Sequence, residues 1–109
     1  MRITTHVLDT AAGRPAAGVP VALEREGDGG WEALGSGATD ADGRIADLFD
    51  GPAAPGRFRL TFDTGTHFLA SGTRGFYPEV AVVFEVAGED HVHVPLLLSP
   101  FGYTTYRGS

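Results

Sequence analysis

The sequence has no cysteine. Disulfides, thiolate nucleophiles and cysteine-held metals are therefore excluded. Small secreted domains commonly rely on disulfides, so the cysteine-free composition points towards the cytoplasm. No stretch approaches the ~18 uninterrupted apolar residues of a membrane span. The opening MRITTHVLDT lacks the apolar core of a secretion signal, and the closing YRGS is not a peroxisomal address. Positive charge is also scarce: 8 basic residues stand against 14 acidic ones, a formal net charge of −6. Nucleic acid, whose phosphates demand a basic face, is thereby disfavoured as a partner.

Glycine and proline are abundant, 16 and 7 in 109 residues, and spread along the whole chain. This is the punctuation of a many-stranded protein with tight turns. The length corresponds to a single domain over residues 1–109. Strand patterns are expected at Ile3–Leu8, Val19–Glu26, Trp31–Gly37, Ile45–Phe49, residues 56–64, Val80–Val86, His91–Ser99 and Gly102–Arg107. The clearest alternation is in GRFRLTFDT, where Phe58, Leu60 and Phe62 share one face. An Asp-Gly turn lies in ATDADGR (38–44), and AAGRPAAG (11–18) reads as a loop. THFLASG (66–72) is the one helix candidate, with Thr66 as N-cap and Gly72 as stop. About eight short strands and one short helix make an all-β sandwich.

The most chemically loaded stretch is the end, HVHVPLLLSPFGYTTYRGS (91–109). Side chains alternate along a strand, so His91, His93, Pro95 and Leu97 share one face and Val92, Val94, Leu96 and Leu98 the other. Apolar residues on both faces over 94–98 require a second cover, and a partner subunit is the simplest one. Four readings are open for the histidines. They can be surface or interface residues without chemistry. They can be two ligands of a metal, with His6 or His67 as a third. They can act as general acid and base. Or they can bind a ligand without turnover. Local residues do not separate the last two.

Three segments bear on this choice. THVLDTAAGRPAAGVPVAL (5–23), TDADGRI (39–45) and HVHVPLLLSPFGYTTYRGS (91–109), with GFYPEV (75–80) besides, resemble the transthyretin-like family over essentially the whole chain. The likeness is to its members that hydrolyse 5-hydroxyisourate in urate degradation, and the terminal YRGS is its most specific part. Hormone-carrying transthyretins lack that ending and the accompanying histidine and arginine set. Departures are mild: Val92 and Phe101 where the family often has tyrosine, and Thr104 where it often has serine.

The resemblance implies a transthyretin-like (prealbumin-like) β-sandwich and a homotetramer, a dimer of dimers with sites along the channel between dimers. It implies conversion of 5-hydroxyisourate to 2-oxo-4-hydroxy-4-carboxy-5-ureidoimidazoline by attack of water on a cyclic amide carbonyl, without metal or cofactor. The family's histidines fall on His6 and His93, its arginine on Arg44, and its terminal tetrapeptide places Tyr106, Arg107 and Ser109. His6, Arg44, His93 and Ser109 are thus the expected catalytic set, and His6, Arg44, Tyr106 and Arg107 the substrate-binding one. His6 is expected as base, Arg44 as oxyanion stabiliser and clamp, and His93 as orienting or relay partner, with the two histidines interchangeable. Ser109 adds a hydroxyl and a terminal carboxylate. The alternative is a non-enzymatic small-ligand carrier of the transthyretin type.

Overall fold

The computed structural model describes all residues, Met1–Ser109. Nine strands and one helix follow in the order β1 (Arg2–Asp9), β2 (Arg14–Pro15), β3 (Pro20–Gly27), β4 (Gly30–Ala38), β5 (Arg44–Asp50), β6 (Gly56–Phe62), α1 (Thr64–Ala70), β7 (Val80–Val86), β8 (His91–Ser99) and β9 (Gly102–Thr105). Two sheets face each other. In one, β1 pairs in parallel with β8 on one edge and with β5 and β2 on the other, and β9 extends β8. The other runs β4-β3-β6-β7, all antiparallel. No helix is long and apolar enough to cross a membrane.

Alternation explains which side chains fill the space between the sheets. Ile3 and Val7 of β1 and Leu96 and Leu98 of β8 meet Val21, Leu23, Phe58, Leu60 and Phe62 of the other sheet, all essentially buried. Each such side chain contributes about 1.5–3 kcal/mol by leaving water. Thr5 also points inward, and its hydroxyl is satisfied by the Val94 carbonyl at 2.7 Å. The opposite, outer face of β1 carries Arg2, Thr4, His6 and Leu8. That face holds the site described below.

Four details differ from the sequence expectations. The segment 11–18 is not all loop, because Arg14–Pro15 pairs with Asp9 and Leu8 as a two-residue strand. The helix begins at Thr64, and its cap is Asp63 rather than Thr66. The Asp63 carboxylate accepts from the Thr66 N–H at 3.1 Å and from the Thr66 hydroxyl at 2.7 Å, so a stronger acceptor one turn earlier takes the role. Strand β9 ends at Thr105 rather than Arg107. And the outer face of β8 is partly covered by the chain itself. Gly108 donates its N–H to the His93 carbonyl at 2.8 Å, and the position of a Cβ on Gly108 would lie 3.2 Å from the Pro95 ring. Pro95 is buried in consequence, while Leu97 stays half-buried.

The helix is tied to β1 by a buried pair. His67 Nε2 and Asp9 Oδ2 are 2.8 Å apart, with side chains only 13% and 10% exposed. Burial acts to raise the Asp9 carboxyl pKa. The Ala12 N–H, the His67 hydrogen bond and charge, and the Ala11 N–H more than reverse this, and hold it below the usual carboxylate value. A carboxyl lowered in the folded state contributes stability that is present above about pH 4 and lost as pH falls through the folded value. Asp9→Asn is expected to cost roughly 1–3 kcal/mol at pH 7 and much less at pH 3. Urea unfolding at the two pH values checks it, and an equal cost at both would contradict it.

Candidate active site

The Asp-Gly turn delivers the first charged group. Asp40 Oδ1 accepts from the Asp42 N–H at 2.9 Å and the Arg44 N–H at 3.0 Å, which folds the turn over its own side chain. Gly43 sits at φ +74° where any Cβ would run into the Val7 carbonyl, so the residue must be glycine. The N–H of Val7 bonds back to the Gly43 carbonyl at 2.7 Å. Arg44 therefore starts β5 directly opposite His6 of β1.

The parallel pairing of β1 with β8 brings up the second group. Thr4 is the register partner of His93, and Arg2 of His91. The Thr4 hydroxyl lies 2.7 Å from His91 Nε2 and 2.8 Å from His93 Nδ1, so it joins the two rings. A cleft of about 140 Å³ opens here, lined by Arg2, Thr4, Arg44, His91, His93 and Ser109 among others. No acidic side chain lines it, although the chain as a whole is acidic. Ser109 arrives because Gly108 bridges to His93; a Cβ on Gly108 would stand 2.5 Å from the His93 ring.

Burial pushes the His93 imidazole below its ordinary pKa, and the positive charge of Arg44, His91 and His6 pushes the same way. A ring in this setting is neutral at pH 7, with a lone pair available to take a proton. A guanidinium beside it offers a planar fork for carboxylate or oxyanion oxygens.

Of the expected residues, the fold brings Arg44, His93 and Ser109 to one cleft. His6 stands next to it on the outer face of β1, near enough for its charge to act on His93. Tyr106 and Arg107 go elsewhere. They line a separate cleft of about 250 Å³ with Val82, Phe84, Val92 and Val94, where Arg107 reaches Glu89 at 4.0 Å. His67 is held by Asp9 beside the helix, and no three His, Asp or Glu side chains converge as metal ligands would. Arg2 and Thr4 were not expected in the site, and their shared outward face with His6 was their one sequence signal; His91 was placed on the His93 face but outside the expected catalytic set.

Residues 3–108 match the HIUase/Transthyretin family. The chain belongs to that family. Among its relatives, the 5-hydroxyisourate hydrolase of Salmonella dublin is 48% identical over 109 residues, covering 98% of this chain and 80% of that one. The solved structure of Klebsiella pneumoniae 5-hydroxyisourate hydrolase superposes with a TM-score of 0.88 at 40% identity, covering all of both chains. Sea bream transthyretin, solved in complex with thyroxine, superposes with a TM-score of 0.93 at 34% identity, covering 99% of this chain and 95% of that one. A hydrolase and a transthyretin solved with thyroxine thus both share this backbone. What a member does is decided by its side chains, not by its sandwich.

Proposed function

We propose that the protein hydrolyses 5-hydroxyisourate to 2-oxo-4-hydroxy-4-carboxy-5-ureidoimidazoline in urate degradation, as a cofactor-free hydrolase acting on a cyclic amide. The observation that carries this is the cationic cleft that Arg44 shares with a partly buried, neutral His93. Identity to hydrolase relatives near half of all positions supports it further.

In the proposed reaction, water attacks a ring carbonyl and gives up one proton. The hydroxide portion bonds to the carbonyl carbon, the ring C–N bond breaks, and the departing nitrogen takes a proton. His93, whose lowered pKa favours it as the base, takes the proton from water and returns it to the departing nitrogen, with His6 beside it to orient the substrate. Arg44 opposes the charge that develops on the carbonyl oxygen. The Ser109 hydroxyl helps to hold the substrate. No thiol is available, so direct attack by water is favoured over a covalent intermediate. The cysteine-free composition also favours a cytoplasmic setting.

We further propose a homotetramer built as a dimer of dimers. Strands β7 and β9 are unpaired sheet edges, and Phe76, Phe101 and Tyr103 are exposed beside them. In this assembly the substrate contacts of Tyr106 and Arg107 come from a neighbouring copy, since within one chain both line a different cleft.

The decisive experiment follows the ultraviolet absorbance of freshly made 5-hydroxyisourate with and without protein. Decay no faster than the spontaneous rate, together with binding of an unreacted aromatic ligand, would favour the carrier alternative. Because the chemistry is assigned to imidazole and guanidinium, activity is expected to survive exhaustive chelation. Its loss with EDTA and recovery with zinc would instead favour a metal held by His91 and His93.

A further inference from the structure

Two histidines lie on the outer face of β8, yet the ring-opening reaction proposed above uses only His93. Thr4 connects them. It sits on the neighbouring strand in register with His93, is 6% exposed, and contacts one ring nitrogen of each histidine. Resting on the proposed reaction, we infer that Thr4 is a positioning residue whose hydroxyl links His93 to His91 in a single proton-sharing chain.

The chemistry follows from counting protons. A threonine hydroxyl carries one proton and two lone pairs. When it donates to His91 Nε2, it accepts the N–H of His93 Nδ1, and His93 Nε2 is left bare as a base. When it donates to His93 Nδ1, it accepts the N–H of His91 Nε2, and His93 carries its proton on Nε2 as an acid. Hydrolysis needs both forms in turn. His93 Nε2 first takes a proton from water as the hydroxide portion bonds to the carbonyl carbon. The Nδ1 proton then passes to Thr4 as the Thr4 proton passes to His91, so the added charge moves one ring away. As the C–N bond breaks, the Nε2 proton goes to the departing nitrogen and the chain resets.

The surroundings favour a shared proton over one confined to His93. Arg2 and His6 on β1, Arg44 on β5 and His91 on β8 are the charged or titratable side chains about the His93 ring, with Ser109 on the terminal segment. All four side chains are basic, so no acidic side chain is present to stabilise an imidazolium at His93, and the one carboxylate at the cleft is the Ser109 chain end. His91 is more exposed than His93, so water reaches its ring more freely.

The test uses Thr4→Val, which removes the hydroxyl with little change in shape, and Thr4→Ser, which restores it. With native circular dichroism confirmed, Thr4→Val is expected to lower kcat by about 10- to 100-fold with KM nearly unchanged. Thr4→Ser is expected to recover most of that loss. Adding His91→Gln to Thr4→Val is expected to cost little more, because His91 acts only through Thr4. Ring-nitrogen NMR is expected to show fixed tautomers for His91 and His93 in the wild type, and averaging in Thr4→Val. A full-rate Thr4→Val, equal losses in Thr4→Val and Thr4→Ser, or additive losses in the double variant would each overturn the inference while leaving the reaction intact. A wild type that does not open the ring overturns the reaction instead; unchanged tautomers in Thr4→Val would then overturn the link as well.

Discussion

His93→Asn is expected to lower kcat for 5-hydroxyisourate by about 10²-fold or more, the ordinary scale for losing an acid–base group. Asparagine keeps a polar side chain of similar reach but cannot exchange a proton near neutral pH. The position leaves little room for substitutes. The ring is partly buried, touches the Thr4 hydroxyl, and lies under the Gly108 backbone. His91→Asn is expected to cost much less, on the order of tenfold, since His91 reaches the reaction only through Thr4. Equal losses at the two positions would show that both rings act directly. The pH profile gives an independent check. A base works in its neutral form, so kcat/KM falls as acid protonates it. Burial and the neighbouring positive groups lower the pKa of His93, so the acid limb is expected below the ordinary imidazole value of about 6.5. An acid limb well above that value would contradict the assignment to His93.

Deleting Tyr106 to Ser109 is expected to leave a folded protein with turnover reduced on the order of 10²-fold. Strand β9 ends at Thr105, and none of the four residues belongs to the buried core, so the sandwich loses no central contact. The site loses more. Ser109 no longer lines the cleft, the hydrogen bond from Gly108 to His93 disappears, and the cover over Pro95 goes with it. In the proposed tetramer, the Tyr106 and Arg107 contacts are lost too. Gly108→Ala is the milder version. Its new methyl group would stand 2.5 Å from the His93 ring and 3.2 Å from Pro95, so the terminal segment must move while all four residues remain. An intermediate loss is expected for it. Circular dichroism and sedimentation separate a damaged site from a damaged fold or assembly. A truncated protein with native spectra and full turnover would remove the ending from the mechanism.

These two expectations draw on different levels of information. That His91 and His93 point the same way follows from the period of two along any strand, and HVHVPLLLS reads as a strand by itself. The turn before Arg44 is equally local, because Asp40 and Gly43 lie within four residues of it and dictate its shape. The inward faces of β3 and β6 are local too: Val21 and Leu23, and Phe58, Leu60 and Phe62, are all buried as their alternation requires. The likeness to relatives lay in the same short segments, which is why the sandwich and the family were legible before any contact was known.

What lies next to what was not legible. Thr4 and His93 are 89 residues apart, and nothing in TTHVLDT distinguishes a threonine that bridges two imidazoles from one that merely occupies a strand. Alternation assigns a face but not a neighbour, and a shift of one residue in the β1–β8 register would turn Thr4 away from His93. That register is decided by burying Ile3, Val7, Leu96 and Leu98 together in one core. The same limit applies to Tyr106 and Arg107, whose side chains would have followed the β9 pattern had the strand not ended at Thr105. Faces and turns depend on bonds between near neighbours, so the sequence by itself determined them. The partners across the sheet depend on how the whole core packs, and only the tertiary structure decided those.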